Sequence, residues 1–305
     1  MEMREWALIT FTILAQMSVG SFLVLGAVHF FSNRKAGEKQ ADELSDRALL
    51  AIFPVLGLGL LASLLHLGNP LNAYKAVTNL GSSWLSREIL SGVLFAVVGF
   101  GFAVMQWRKL GSFALRNAVG WIAALIGVAL VFSMAMVYSL PTRPSWNLFT
   151  TPLSFFVTTL LLGVLAMGAA FVANYWYVQR TNPGCADDQC KLLRESLRWL
   201  AVGSIVLLGV EFVVIPLSLA MQAASAAGAS AAMLVGTHGA LFALRLALVF
   251  VGAGILGVFL YKTALEPGQE RVMGVLAYSA FVLVFVAEVA GRFLFYATSI
   301  KVGLQ

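Results

Sequence analysis

A chain of 305 residues that is 60% hydrophobic and 11% charged, with a strongly positive mean hydropathy, lies outside the range of soluble globular domains. It reads as an integral membrane protein, a single unit over 1–305 with no soluble catalytic module. A formal charge of +6 would suggest nucleic acid in a soluble protein, but here the basic residues sit between apolar runs, where they set membrane orientation.

A hydrocarbon core of about 30 Å takes about 20 apolar residues per helix. Eight such runs are present, approximately Trp6–Phe31, Ala48–Leu67, Glu88–Trp107, Leu115–Ser139, Pro152–Val178, Trp199–Met221, His238–Tyr261 and Val272–Tyr296. They show no period-2 alternation, which excludes a transmembrane barrel and predicts an all-α, polytopic bundle of eight transmembrane helices. The first run begins Met-Glu-Met-Arg-Glu, acidic where a cleavable signal peptide is basic, so it reads as a retained span. Gly57-Leu-Gly59, Gly99-Phe-Gly101 and Gly252-Ala-Gly254-Ile-Leu-Gly257 are small-residue stripes of the kind that let helices approach closely. The stretches 179–198 and 222–237 read as loops, the second an Ala/Ser/Gly run.

Thirteen Lys and Arg residues lie in the loops after the odd-numbered spans, against five on the opposite side. The positive-inside rule then places both termini on the outer side of a membrane crossed many times. With a rise of about 1.5 Å per residue, His66 and Glu88 fall near the outer surface, on either side of the second loop. Glu211, Arg245, Glu288 and Arg292 fall in the outer half of their spans, and His238 opens span seven on that side. His29 closes span one at the inner surface.

Ionisable groups in a span are costly and mark function by default, yet each has a structural alternative. Glu288 and Arg292, at i and i+4, can neutralise one another along one helix face. Glu211 and Arg245 can form a cross-helix pair, His66 can bond a loop carbonyl, and Glu88 can cap the start of its helix. Taken together, so many charges in one leaflet require a shared polar cavity. The chain has three His, of which only His66 and His238 share a side, so no bound haem is expected. Cys185 and Cys190 are too few for a zinc site or an iron–sulfur cluster, and on the inner side they are expected as reduced thiols.

His66-Leu-Gly-Asn-Pro70, Ser86-Arg-Glu88-Ile-Leu-Ser-Gly92, Thr151-Pro152, Arg245 and Glu288-Val-Ala-Gly-Arg292 with Tyr296 together resemble the membrane anchor subunit of anaerobic dimethyl sulfoxide reductase. The resemblance implies a haem-free, eight-helix anchor that holds an iron–sulfur electron-transfer subunit and a molybdopterin catalytic subunit on the outer face. It also implies menaquinol as bound substrate, oxidised near that face, with no iron–sulfur cluster, molybdenum or terminal catalytic centre in this chain. The family's quinol-site His and Glu fall on His66 and Glu88. Arg87, Arg245, Glu288, Arg292 and Tyr296 complete the expected quinol-binding set, while Glu211 has no counterpart. A passive tether without a quinol site and an ion-coupled secondary transporter are the competing readings. The transporter would favour midplane charges on broken helices and internal repeats.

Overall fold

Lipid offers no partner to a free backbone amide, so the apolar runs fold as helices that satisfy their own hydrogen bonds. The computed structural model describes residues 3–64, 75, 78–181, 188–264, 266 and 268–303. The motif from His66 to Tyr74 lies outside the described residues. The helices are α1 Met3–Ala36, α2 Glu38–Leu64, α3 Trp84–Arg108, α4 Phe113–Val137, α5 Thr150–Thr181, α6 Asp188–Ala223, α7 Gly228–Val235, α8 Gly239–Val249, α9 Leu256–Thr263 and α10 Glu270–Ala297. No strand occurs among the described residues.

Among the described residues, eight segments are long and apolar enough to cross a membrane, α8 and α9 acting as one through the π-helical turn Phe250–Ile255. Several helices outrun their apolar runs. The second begins at Glu38 rather than Ala48 and the sixth at Asp188 rather than Trp199, because a helix started in the hydrocarbon continues through the charged interface. The 222–237 stretch is corrected from loop to the short helix α7. Cys190 is disulfide-bonded, so the expectation of a reduced thiol is corrected there. Cys185 lies outside the described residues.

α1 and α5 form the centre of the bundle, their apolar windows 72% and 78% buried. α1 packs on α2 and α5, α5 also on α6 and α10, and α3 on α4. Glycines set the α1–α5 distance: a Cβ on Gly20 would stand 1.8 Å from the Thr159 carbonyl oxygen, and one on Gly163 2.2 Å from the Gly20 carbonyl carbon. Only backbone in direct contact leaves so little room.

Alternating passage through the membrane gathers the helix termini at two ends. One end collects the starts of α2, α4, α6 and α10 with the ends of α1, α3, α5 and α9. Here the Asp42 carboxylate accepts from His29 Nε2 at 3.0 Å, Lys109 Nζ at 2.7 Å and Gln106 Nε2. Arg116 reaches Glu38 at 2.7 Å, Lys35 pairs with Glu195, and Arg194 pairs with Glu270. Lys109 ends α3 in the left-handed conformation, with φ of 54°, where glycine is the usual residue. The strain is offset by its ammonium bonds to Asp42 and Asp46.

Candidate functional site

The opposite end carries the second polar cluster, built from α3, α10 and their neighbours. In α3 the buried positions Glu88, Gly92, Phe95, Gly99, Ala103 and Gln106 follow the three-or-four spacing of one helix face. Glu88 is therefore on the face turned into the bundle, and it is 6% exposed. It does not cap the helix. Ser83 does, its Oγ accepting from Ser86 N at 3.3 Å, which leaves Glu88 in the second turn. The neighbouring Arg87 points outward, donating to the Leu80 and Gly81 carbonyls at 2.8 Å each and lying over the Trp84 ring. None of these contacts is with another of the described site residues.

Across the bundle Glu88 comes within electrostatic range of Tyr138 and Tyr296, whose hydroxyls hydrogen-bond to each other. Trp146 holds this corner by donating from Nε1 to the Phe295 carbonyl at 2.8 Å and stacking on Phe295. Pro152 is tolerated in the first turn of α5, where amides have no helical partner.

On α10, Glu288, Arg292 and Tyr296 recur every four residues and so share one face. Glu288 and Arg292 nevertheless do not pair, correcting the reading of a self-neutralising couple. α10 packs against α1, α5 and α8, and each side chain takes a partner from a different neighbour. Arg292 donates to Gln16 Oε1 of α1 at 2.9 Å and lies 3.8 Å above the Phe155 ring of α5, a cation–π contact. Gln16 is fixed in turn by the Phe155 carbonyl at 3.3 Å. Glu288 Oε2 accepts from Thr158 Oγ1 at 2.6 Å, while its Oε1 lies 3.6 Å from Arg245 Nη2.

Arg245 Nη2 also meets Glu211 Oε1 at 2.7 Å, the expected cross-helix pair. The Arg245 side chain lies across Gly291, where an added Cβ would stand 2.4 Å from Nε. Arg245 precedes the π-helical turn by about one helical turn. Such bulges occur frequently at functional sites, and this one shifts the register between Arg245 and the rest of the span.

Glu211, Arg245, Glu288 and Arg292 line a cavity of about 130 Å³ together with Trp146, Val157, Ile215, Phe242 and Phe295. His238 stands at the start of α8 with its ring 6.3 Å from Phe293, outside this lining. Gln16, Thr158 and Tyr138 were not singled out in the sequence. They carry no charge at neutral pH, and an inventory of ionisable groups in spans passes over them. Among the described residues no group of three or more His, Cys, Asp or Glu could hold a metal ion.

The chain matches the family model described as DMSO reductase anchor subunit (DmsC) over residues 1–298. It is 31% identical to the C chain of the anaerobic dimethyl sulfoxide reductase of Escherichia coli (strain K12), with 99% of this protein and 97% of that one aligned. The same identity and coverage hold for the YnfH chain of anaerobic dimethyl sulfoxide reductase from that organism. The C subunit of the sulfite dehydrogenase of Allochromatium vinosum is 26% identical over 44% of each protein. The two Escherichia coli alignments run across both polar ends of the bundle.

Proposed function

Since the chain belongs to the DMSO reductase anchor-subunit family, we propose that the bundle end holding Glu88 is where a membrane quinol is oxidised on behalf of the reductase complex. An anchor subunit of such a complex implies catalytic and electron-transfer partners. In this reading these are a molybdopterin subunit and an iron–sulfur subunit, docked on the outer, periplasmic face of a bacterial cytoplasmic membrane. The substrate is menaquinol, and both termini lie on that same outer side.

The observation that carries the reading is Glu88: a carboxyl group 6% exposed on the inward face of α3, beside a hydrogen-bonded tyrosine pair. A buried carboxyl with no cation in hydrogen-bond contact among the described residues is expensive. Packing alone gives a reason for an apolar side chain there, whereas proton transfer gives a reason for a carboxyl group. The quinol hydroxyl comes within the roughly 2.6 to 3.2 Å required for general-base transfer, and Glu88 takes its proton as the electrons leave for the partner. His66, outside the described residues, is assigned the second quinol oxygen. Arg87 braces the turn ahead of α3 rather than touching substrate.

The test is a titration of a quinol-site inhibitor analogue, with quinol-dependent turnover, in membranes carrying the wild-type complex, His66→Ala and Glu88→Gln. Loss of a general base costs about 10²- to 10⁴-fold. Glu88→Gln is therefore expected to lower turnover by at least about a hundredfold with the partner subunits still attached. Turnover within a few-fold of wild type would remove Glu88 as the base. Absence of analogue binding to the wild type, with subunits attached, would instead favour a passive tether.

A further inference from the structure

Among the described residues, five buried side-chain polar atoms lack a hydrogen-bond partner: Ser145 Oγ, Glu211 Oε2, Arg245 Nε, Glu288 Oε1 and Arg292 Nε. All five belong to residues lining the one cavity of about 130 Å³. Leaving such a group dry costs about 1 to 3 kcal/mol, so a set of five concentrated in one place marks a volume occupied by a polar ligand. The set mixes donors and acceptors and comes from two glutamates, two arginines and a serine. An anion would meet the carboxylates and a cation the guanidinia, whereas water satisfies both. A cavity of this size has room for several waters.

The cavity reaches the aqueous end of the bundle. Its lining runs from Glu288 to Thr298 at the C-cap of α10 and to Gln222 in the last turn of α6, about 15 Å along α10. At its inner limit two carboxyl groups share the Arg245 guanidinium, at 2.7 and 3.6 Å, a place where a proton can be held. On the far side of Arg292 stand Tyr296 and Tyr138, hydrogen-bonded to each other and in electrostatic range of Glu88.

Resting on the quinol reading above, we propose that this cavity is a water-filled proton-release chamber in which Glu211 and Glu288 receive the protons that leave Glu88 through the Tyr138–Tyr296 hydroxyl pair. Oxidation of one quinol yields a quinone, two electrons and two protons. The electrons pass to the iron–sulfur partner, and the protons pass in turn from the quinol oxygens to Glu88, across the tyrosine hydroxyls, through water to the carboxylates, and out past Thr298. Arg292 keeps its own protons and anchors through Nε–H the water bridging Tyr296 to Glu288. The sideways route has a physical reason: the partner receiving the electrons must cover the bundle next to the quinol, whereas the helices that line the chamber are α5, α6, α7, α8 and α10 and, among the described residues, not α3.

The experiment uses the whole complex and compares Glu88→Gln, Glu288→Gln and Ser154→Leu. Ser154 lines the cavity and bonds only to the Thr151 carbonyl of its own helix, so leucine there displaces water without touching a charge. Binding of the quinol-site analogue is expected to persist in Ser154→Leu. Quinol-dependent turnover is expected to fall about tenfold or more, and its solvent deuterium isotope effect to rise. A carboxyl band in the redox-difference infrared spectrum is expected to vanish in Glu288→Gln. Wild-type turnover and isotope effect in Ser154→Leu, with Glu88→Gln inactive, would overturn the chamber and leave the quinol reading standing, even if Glu288→Gln failed to assemble. An active Glu88→Gln would overturn both.

Discussion

Gly291→Ala tests whether Arg245 is held where the structure shows it. The new Cβ would lie 2.4 Å from Arg245 Nε, 2.7 Å from Cζ and 3.1 Å from Cδ. Ordinary heavy-atom contact begins near 3.5 Å, so the guanidinium must retreat by about 1 Å. That displacement breaks the 2.7 Å contact with Glu211 and opens the 3.6 Å approach to Glu288. A hydrogen bond between charged groups contributes about 1.5 to 3 kcal/mol, and alanine returns about 1 kcal/mol in helix propensity. The net loss is about 1 kcal/mol, or about 2 to 4 °C in the unfolding midpoint. Gly101→Ala in α3, with nothing within 4 Å of its added Cβ, provides the control and should leave the midpoint unchanged or raise it. Thermal unfolding of the purified complex reads both. If Gly291→Ala matched Gly101→Ala, the Arg245 position across α10 would be wrong.

Gly20→Val should prevent the α1–α5 crossing, because its Cβ would stand 1.8 Å from the Thr159 carbonyl oxygen and 3.2 Å from Gly163 Cα. Backbone cannot give way as a side chain does, so accumulation of the protein in membranes, read by immunoblot, should collapse, and normal accumulation would contradict the close packing. Asp42→Ala removes the acceptor shared by His29, Lys109 and Gln106 and should cost about 2 to 3 kcal/mol, with affinity for the quinol-site analogue unaltered at the far end of the bundle. A change in that affinity would show that the two ends are coupled.

The eight spans were legible because the bilayer imposes them: about 20 apolar residues admit few other uses. Where the helices stop was not legible, since hydropathy reports the hydrocarbon and not the helix. The segment Glu38–Arg47 is charged and helical together, and it brings Asp42 to His29, a pair that the span boundaries hid. The π-helical turn at Phe250–Ile255 was hidden differently, because Gly252-Ala-Gly254 reads equally well as a packing stripe. Depth along each helix was enough to gather Glu88, Glu211, Arg245, Glu288 and Arg292 in the same half of the bundle. Rotation about each helix was not available from depth, so Arg87 was grouped with Glu88 although the two point apart. The i, i+4 spacing of Glu288 and Arg292 suggested an ion pair for the same reason: spacing shows which residues share a face and not which neighbour reaches them first.

The contrast between the two ends of the bundle bears on function. Around Asp42 a carboxylate meets an imidazole, an ammonium and an amide, Arg116 is answered by Glu38 and Gln106, and no buried side-chain polar atom among these residues is left without a partner. A fully satisfied network of this kind fixes helix positions, and the residues that form it lie in the interface, where the helices outrun the lipid. At the other end Arg292 has no carboxylate in contact among the described residues, taking Gln16 and the faces of Phe155 and Phe295 instead. Glu288 and Glu211 share a single guanidinium, and among the described residues all of the orphaned buried atoms belong to residues that line one cavity. Evenly paired charges would hold the helices equally well without leaving those atoms bare. On the quinol reading proposed above, the imbalance serves chemistry that adds and removes protons at this end, while the satisfied end holds the bundle in register.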